Sequence, residues 1–121
     1  NGDITIAKPN SHLGDLSGSV YADGNKVTVK SKRLSQYIAE DIDLLKLDIE
    51  GSETIVIKEI MPKLKRLKNI VMEFHPAYTE NNFSEIFSIL TKAGFKFKSL
   101  GEEIFPYERY DQQAFSIFFY K

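Results

Sequence analysis

Short apolar runs alternate along this chain with stretches in which apolar residues recur every three to four positions. Residues 44–49 form a nearly continuous apolar run, typical of a parallel strand that is buried on both faces. Residues 53–61 follow helical spacing, and residues 69–74 form a second apolar strand. A second helix is predicted to begin after Asn82 and to end at Gly94.

Two further apolar segments, residues 95–100 and 115–120, close the chain with no helical pattern between them. They are therefore predicted to pair as antiparallel strands. The order strand, helix, strand, helix, strand, strand predicts an α/β fold with parallel strands and right-handed crossovers. A length of 121 residues fits a single domain over residues 1–121.

Residues 1–32 form a polar lead-in to this pattern, with strand candidates at 4–7 and 26–30. A turn signal at residues 23–25 predicts a hairpin between residues 20–21 and residues 27–29. Residues 34–39 are predicted to form a short amphipathic helix.

Composition narrows the class of protein. The chain is 42% hydrophobic and carries 16 basic against 17 acidic residues, which excludes a disordered chain and provides no charge for binding nucleic acid or an anionic membrane. No apolar stretch approaches the roughly 20 residues that a membrane-spanning helix needs. The absence of cysteine excludes disulfides and thiolate metal sites, and it favours a cytoplasmic protein.

Four titratable residues stand where the two apolar strands end. Asp48 and Glu50 come at the end of the first strand, and Glu73 and His75 at the end of the second. Ligands of open α/β sheets bind beyond the carboxyl ends of parallel strands, and neighbouring strands lie about 4.8 Å apart. The four side chains are therefore predicted to line one crevice.

Each of these residues also has a structural interpretation. Asp48 or Glu50 could cap the following helix, and His75 could be a turn residue. Lys46 lies within the strand and is predicted either to form an ion pair with Asp48 or to extend its side chain to the edge of the sheet.

At the start of the first helix, three residues are interpreted structurally. Gly51 provides close packing or a positive φ angle. Ser52 can accept hydrogen bonds from the first free backbone N–H groups, and Glu53 complements the positive end of the helix dipole.

The residues at these strand ends form an extended motif. Residues 43–53 read DLLKLDIEGSE, residues 71–75 read VMEFH, and Gly94 is followed by Phe95. In order and spacing, over residues 27 to 100, the chain resembles the FkbM family of S-adenosylmethionine-dependent methyltransferases.

The resemblance implies a Rossmann-like methyltransferase fold with strand order 3-2-1-4-5-7-6 and an antiparallel final pair. It also implies O-methylation of a sugar, polyketide or related metabolite. Imidazole is the side chain best suited to act as a base near neutral pH, so His75 is predicted to take the acceptor proton, with Asp48 and Glu50 as further catalytic residues. Asp48 would also contact the cofactor, and Glu50 and Glu73 the acceptor.

The chain departs from the family in lacking a G-x-G turn at the start of a strand–helix–strand unit. It would begin near the third strand of the family, and Ser52 stands where alanine is usual. We therefore expect the C-terminal portion of a methyltransferase, or a reduced relative, that neither binds the cofactor nor transfers methyl groups by itself.

Two alternatives to methyl transfer remain open at this point. Asp48, Glu50, Glu73 and His75 could hold Mg²⁺ or Mn²⁺ in a metal-assisted enzyme. The chain could instead be a degenerate interaction domain without activity. Without the first strand of the family's order, the strand at residues 44–49 would lack one neighbour. It would then be covered by the N-terminal strands or, as we expect, pair with a second copy in a homodimer.

Overall fold

The computed structural model describes residues 2–8, 25–77, 81–100 and 114–121. Within these ranges, no helix has the length and apolar character needed to span a membrane. Residues 20–24, which include most of the predicted hairpin turn, lie outside them. The strands and α-helices are β1 (Gly2–Lys8), β2 (Asn25–Ser31), β3 (Ile42–Leu47), α1 (Glu53–Ile60), β4 (Leu67–Phe74), α2 (Phe83–Lys92), β5 (Lys96–Ser99) and β6 (Phe115–Tyr120).

Among the described residues, the main sheet contains four strands in the order β3-β4-β6-β5. β3 and β4 run parallel, with Leu47 opposite Met72 near their carboxyl ends. β6 runs antiparallel to both β4 and β5, which confirms the predicted pairing of the two closing strands. The result is a mixed α/β sheet.

One core lies between this sheet and the two helices. Alternate residues of β4 and β6 point into it, as expected from the period of two along a strand. The apolar faces of α1 and α2 pack against the same core. Its completely buried apolar side chains are Ile38, Ile57, Ile60, Ile70, Met72, Ile86, Leu90, Ile117 and Phe119.

β3 differs from its prediction, because it is not buried on both faces. Leu47 is 3% exposed on the core side, whereas Leu44 is 55% exposed. Among the described strands β3 has a single neighbour, β4, so it forms an edge of the sheet. The apolar run therefore predicted the strand correctly, but the burial of both of its faces was predicted wrongly.

The strands β1 and β2 form a separate antiparallel pair, from Gly2 opposite Ser31 to Lys8 opposite Asn25. This confirms the two N-terminal strand candidates. They hydrogen-bond to each other and not to β3, so within the described residues they do not cover the open edge of the main sheet.

The predicted helix at residues 34–39 is a single turn of 3-10 helix, Leu34–Tyr37. Its following residue Ile38 is buried, while Tyr37 is exposed. Pro62 lies in the first turn of a second 3-10 helix, Met61–Arg66, which continues α1. Met61 is exposed, so the apolar face of α1 is shorter than its sequence pattern indicates.

The unequal burial of two leucines in β3 gives a stability prediction. Leu47→Ala is expected to lower the free energy of unfolding by about 2–5 kcal/mol, because it leaves a cavity in the core. Leu44→Ala is expected to cost less than about 1 kcal/mol, since its side chain is already half in water. Urea denaturation of the two variants measures the difference, and equal losses would contradict the unequal burial of the two faces of β3.

Among the described strands β3 has one neighbour, so the homodimer through its other side remains a prediction. Light scattering is expected to show a dimer that dissociates on dilution, and Leu44→Lys is expected to abolish it because charges block edge pairing. Ile55→Lys is the matched control, since Ile55 is similarly exposed but lies on α1. A monomer at all concentrations, with slow amide exchange along residues 44–49, would show that the edge is covered from within.

Candidate functional site

The parallel strands β3 and β4 place three of the four predicted residues together. β3 ends at Leu47 and β4 at Phe74, so the residues that follow the two strands leave the sheet together, at the carboxyl ends of the strands. The ligand atoms of Asp48, Glu50 and His75 all lie within 4.8 Å of one another. This grouping is the candidate site.

Aromatic packing holds the end of β4 in place. The Phe74 ring is 5.2 Å from Phe83 of α2 and 5.3 Å from Phe115 of β6, measured between ring centroids. Such contacts add to the burial of the rings themselves. His75 is the next residue in the chain, so its backbone position is determined by this cluster.

Glu73 is not in the group that surrounds His75. It is half-buried, stands opposite Ser116 of β6, and alternates with the buried residues Met72 and Phe74. Its side chain therefore points to the face of the sheet away from the helices. His75 lies beyond the end of the strand, so the alternation does not determine the direction of its side chain.

Asp48 is held by a neighbouring lysine. The Lys46 Nζ atom lies 3.1 Å from Asp48 Oδ2, as predicted from their two-residue spacing along the strand. Both side chains reach solvent, so the pair contributes at most about 1 kcal/mol to stability. The pair places the Lys46 ammonium beside the Asp48 carboxylate at the end of β3.

Glu50 and Gly51 form a left-handed turn between β3 and α1. Gly51 has φ 99° and is buried, which confirms the predicted positive φ at this position. Glu50 has φ 50°, a conformation that costs a residue with a side chain roughly 1–2 kcal/mol. The turn brings Glu50 Oε2 to 3.5 Å from His75 Nε2.

The start of α1 is capped from a distance and not by Ser52. Ser52 occupies the N-cap position, but its side chain makes no capping hydrogen bond, so that prediction is wrong. The Thr54 N–H instead donates to Asn81 Oδ1, at 3.1 Å. Asn81 lies 27 residues further along the chain, so a local capping rule could not identify it.

Glu53 has a larger role than that of a dipole partner. It lies in the first turn of α1, as predicted, but its exposure is 0%. Its Oε1 accepts from the backbone N–H groups of Ile49, at 3.4 Å, and Gly51, at 3.3 Å. The same oxygen lies 3.0 Å from His75 Nδ1. The sequence does not indicate this contact, because an acidic residue at the start of a helix is usually solvated.

Asn81 completes the network around Glu53. Its Nδ2 donates to Glu53 Oε2 and, at 3.1 Å, to the backbone carbonyl of His75. Its Oδ1 also accepts from Thr54 Oγ1, at 2.7 Å. Asn81 therefore ties the segment after β4 to the first turn of α1, and it was not among the predicted site residues.

The chemistry available at this site follows from these atoms. Nδ1 of His75 faces a fully buried carboxylate, and Nε2 faces the Glu50 side chain. An imidazole in this setting can take up a proton at Nε2. Asp48, Glu50 and Nε2 could alternatively provide two oxygens and one nitrogen to a divalent cation.

The strained backbone at Glu50 gives a second stability prediction. Glu50→Gly is expected to raise the free energy of unfolding by about 0.5–1 kcal/mol, because glycine adopts a positive φ without strain. Glu50→Gln is the matched control, since it removes the charge and retains the strain. Denaturation curves that show the same shift for both variants would contradict the backbone explanation.

Comparison with known proteins gives one finding. Residues 1–97 match the family model described as Methyltransferase FkbM domain. No curated protein and no solved structure gives a match to the chain.

Proposed function

The chain belongs to the FkbM methyltransferase domain family, and we propose that it serves the S-adenosylmethionine-dependent methylation of a hydroxyl group on a small metabolite. A sugar or a polyketide is the proposed acceptor class. The observation that carries the proposal is the grouping of Asp48, Glu50 and His75 at the carboxyl ends of two adjacent parallel strands. The absence of cysteine favours the cytoplasm as its location.

The strand order supports the proposed fold. In the Rossmann-like methyltransferase order 3-2-1-4-5-7-6, the last four strands stand in the order 4-5-7-6. The described sheet has the same arrangement, β3-β4-β6-β5, with its penultimate position taken by the antiparallel strand β6. The candidate site then lies after the strands that correspond to the fourth and fifth.

His75 is the proposed base. Its Nε2 would take the proton of the hydroxyl group that is methylated. Glu50, whose Oε2 lies 3.5 Å from Nε2, would receive a hydrogen bond from the acceptor molecule and orient it. Asp48 would take the side of the site nearest the cofactor, and Glu73 would contact parts of the acceptor that extend over the face of the sheet away from the helices.

The proposed cofactor supplies an electrophilic methyl group when it is bound. Asp48 is suited to contact it, because the side chain reaches solvent at the end of β3. The 121 residues contain no G-x-G turn at the start of a strand–helix–strand unit, which normally brings the backbone close to such a ligand. We therefore propose that this chain by itself neither binds the cofactor measurably nor transfers methyl groups.

A divalent metal site is the second candidate function. The favouring observation is that Asp48, Glu50 and His75 offer hard ligand atoms within 4.8 Å of one another. Mg²⁺ and Mn²⁺ are the ions suited to such a set, and His75 would then be a ligand and not a base. The third alternative is an interaction domain without activity.

Methyl transfer from labelled S-adenosylmethionine to hydroxylated acceptors tests the first proposal, in the natural polypeptide that carries this chain. His75→Gln is expected to lower kcat by about 10²–10⁴-fold, the usual contribution of a general base. Glu59→Gln is the matched control, because Glu59 lies on α1 and bonds to Ser35 and not to His75.

Metal addition separates the alternatives in the same assay. Activity that persists in a chelator and is lost in His75→Gln supports His75 as the base. Activity that requires Mn²⁺ or Mg²⁺, together with loss of metal binding in His75→Gln, would support the metal site. No transfer to any acceptor would refute the methyltransferase proposal and favour the interaction domain.

A further inference from the structure

We propose that Glu53, held by Asn81, is a positioning residue that fixes His75 as the Nδ1–H tautomer and directs its Nε2 toward Glu50 and Asp48. The inference rests on the proposed function, because that function assigns proton uptake to Nε2. In the sequence alone, Glu53 was interpreted only as a helix-dipole partner. The physical basis of the inference is the network of donors around a carboxylate with no exposure to solvent.

The orientation of the Asn81 amide is fixed by its partners. Its Oδ1 receives the backbone N–H of Thr54, which can only donate. The Nδ2 group must therefore point the other way, and it donates to Glu53 Oε2. This removes the usual ambiguity between the oxygen and the nitrogen of a side-chain amide.

Both oxygens of Glu53 are consequently acceptors. Oε2 receives Asn81, and Oε1 receives the backbone N–H groups of Ile49 and Gly51, which cannot give up their protons. A carboxylate in this state has no proton to donate. The remaining contact of Oε1, 3.0 Å from His75 Nδ1, is therefore an N–H···O hydrogen bond donated by the histidine.

This bond determines what the other ring nitrogen does. In a neutral imidazole with a proton on Nδ1, Nε2 has a free lone pair. Nε2 lies 3.5 Å from Glu50 Oε2, on the side of the ring away from Glu53. The His75 side chain is only 12% exposed, so packing keeps the ring in this orientation.

Proton transfer at Nε2 then has a defined course. The O–H bond of the acceptor breaks, an N–H bond forms at Nε2, and the electron pair stays on the acceptor oxygen. The imidazolium that results is stabilised by the Glu53 carboxylate, which is already in hydrogen-bonding contact with Nδ1. Glu53 thus orients the base and stabilises its charged form without touching the acceptor.

The ring ¹⁵N chemical shifts of His75 test this inference without any measurement of activity. Spectra are recorded on the 121-residue chain at alkaline pH, where imidazole is neutral. His12→Gln serves as the background, because it leaves His75 as the single histidine of the sequence. We expect the shift of a protonated Nδ1 and an unprotonated Nε2.

Two variants on this background extend the test. Glu53→Gln is expected to lose the tautomer preference, because its amide cannot accept from every donor around Glu53. Glu59→Gln is expected to keep the preference, although it loses the hydrogen bonds of Glu59 to Ser35. If Glu53→Gln does not fold, Glu53→Asp replaces it, since that change keeps the charge but shortens the side chain and withdraws its oxygens from His75 Nδ1.

Two results would overturn the inference. One is a protonated Nε2 with an unprotonated Nδ1 in the His12→Gln background, and the other is an unchanged tautomer in Glu53→Gln or its replacement. The methyl-transfer assay decides the proposed function separately. The expected tautomer without any methyl transfer would refute the proposed function and support the geometry inferred for Glu53, whereas transfer with the opposite tautomer would do the reverse.

Discussion

The arrangement of the candidate site depends on one buried carboxylate. Glu53 has no access to water, so its charge is tolerable only because backbone and side-chain donors surround it. Those donors come from three places: the turn after β3, His75 directly after β4, and Asn81 just before α2. The same interaction therefore closes the turn, orients the histidine and joins the two strand ends.

The turn between β3 and α1 shows how this constraint affects the backbone. Oε1 of Glu53 binds the N–H of Gly51 only if the chain bends sharply, and the bend requires positive φ angles at Glu50 and Gly51. Glycine accommodates such an angle, but glutamate does not do so readily. Glu50 has a strained backbone, and its side chain faces a histidine. Such a residue is better explained by a function of its side chain than by a contribution to the stability of the fold.

The main sheet distributes its apolar surface unevenly. α1 and α2 cover one face, where the core lies, while Leu44 on the edge strand remains half exposed. The site lies at the end of this same strand, next to Asp48. An association that covered the β3 edge would therefore also act close to the proposed cofactor side, which links the dimer prediction to the function.

Much of the fold followed from the sequence alone. The strand predicted at residues 69–74, the helix capped by Asn82 and the antiparallel closing pair are all present, because periodicity and capping are local properties. The meeting of Asp48 with His75 was also predictable, since parallel neighbours end at the same edge of a sheet. Only the tertiary structure revealed the burial of Glu53, the role of Asn81 and the exposure of Leu44. Each of these depends on which distant segment packs against the residue, and neither spacing nor composition along one chain carries that information.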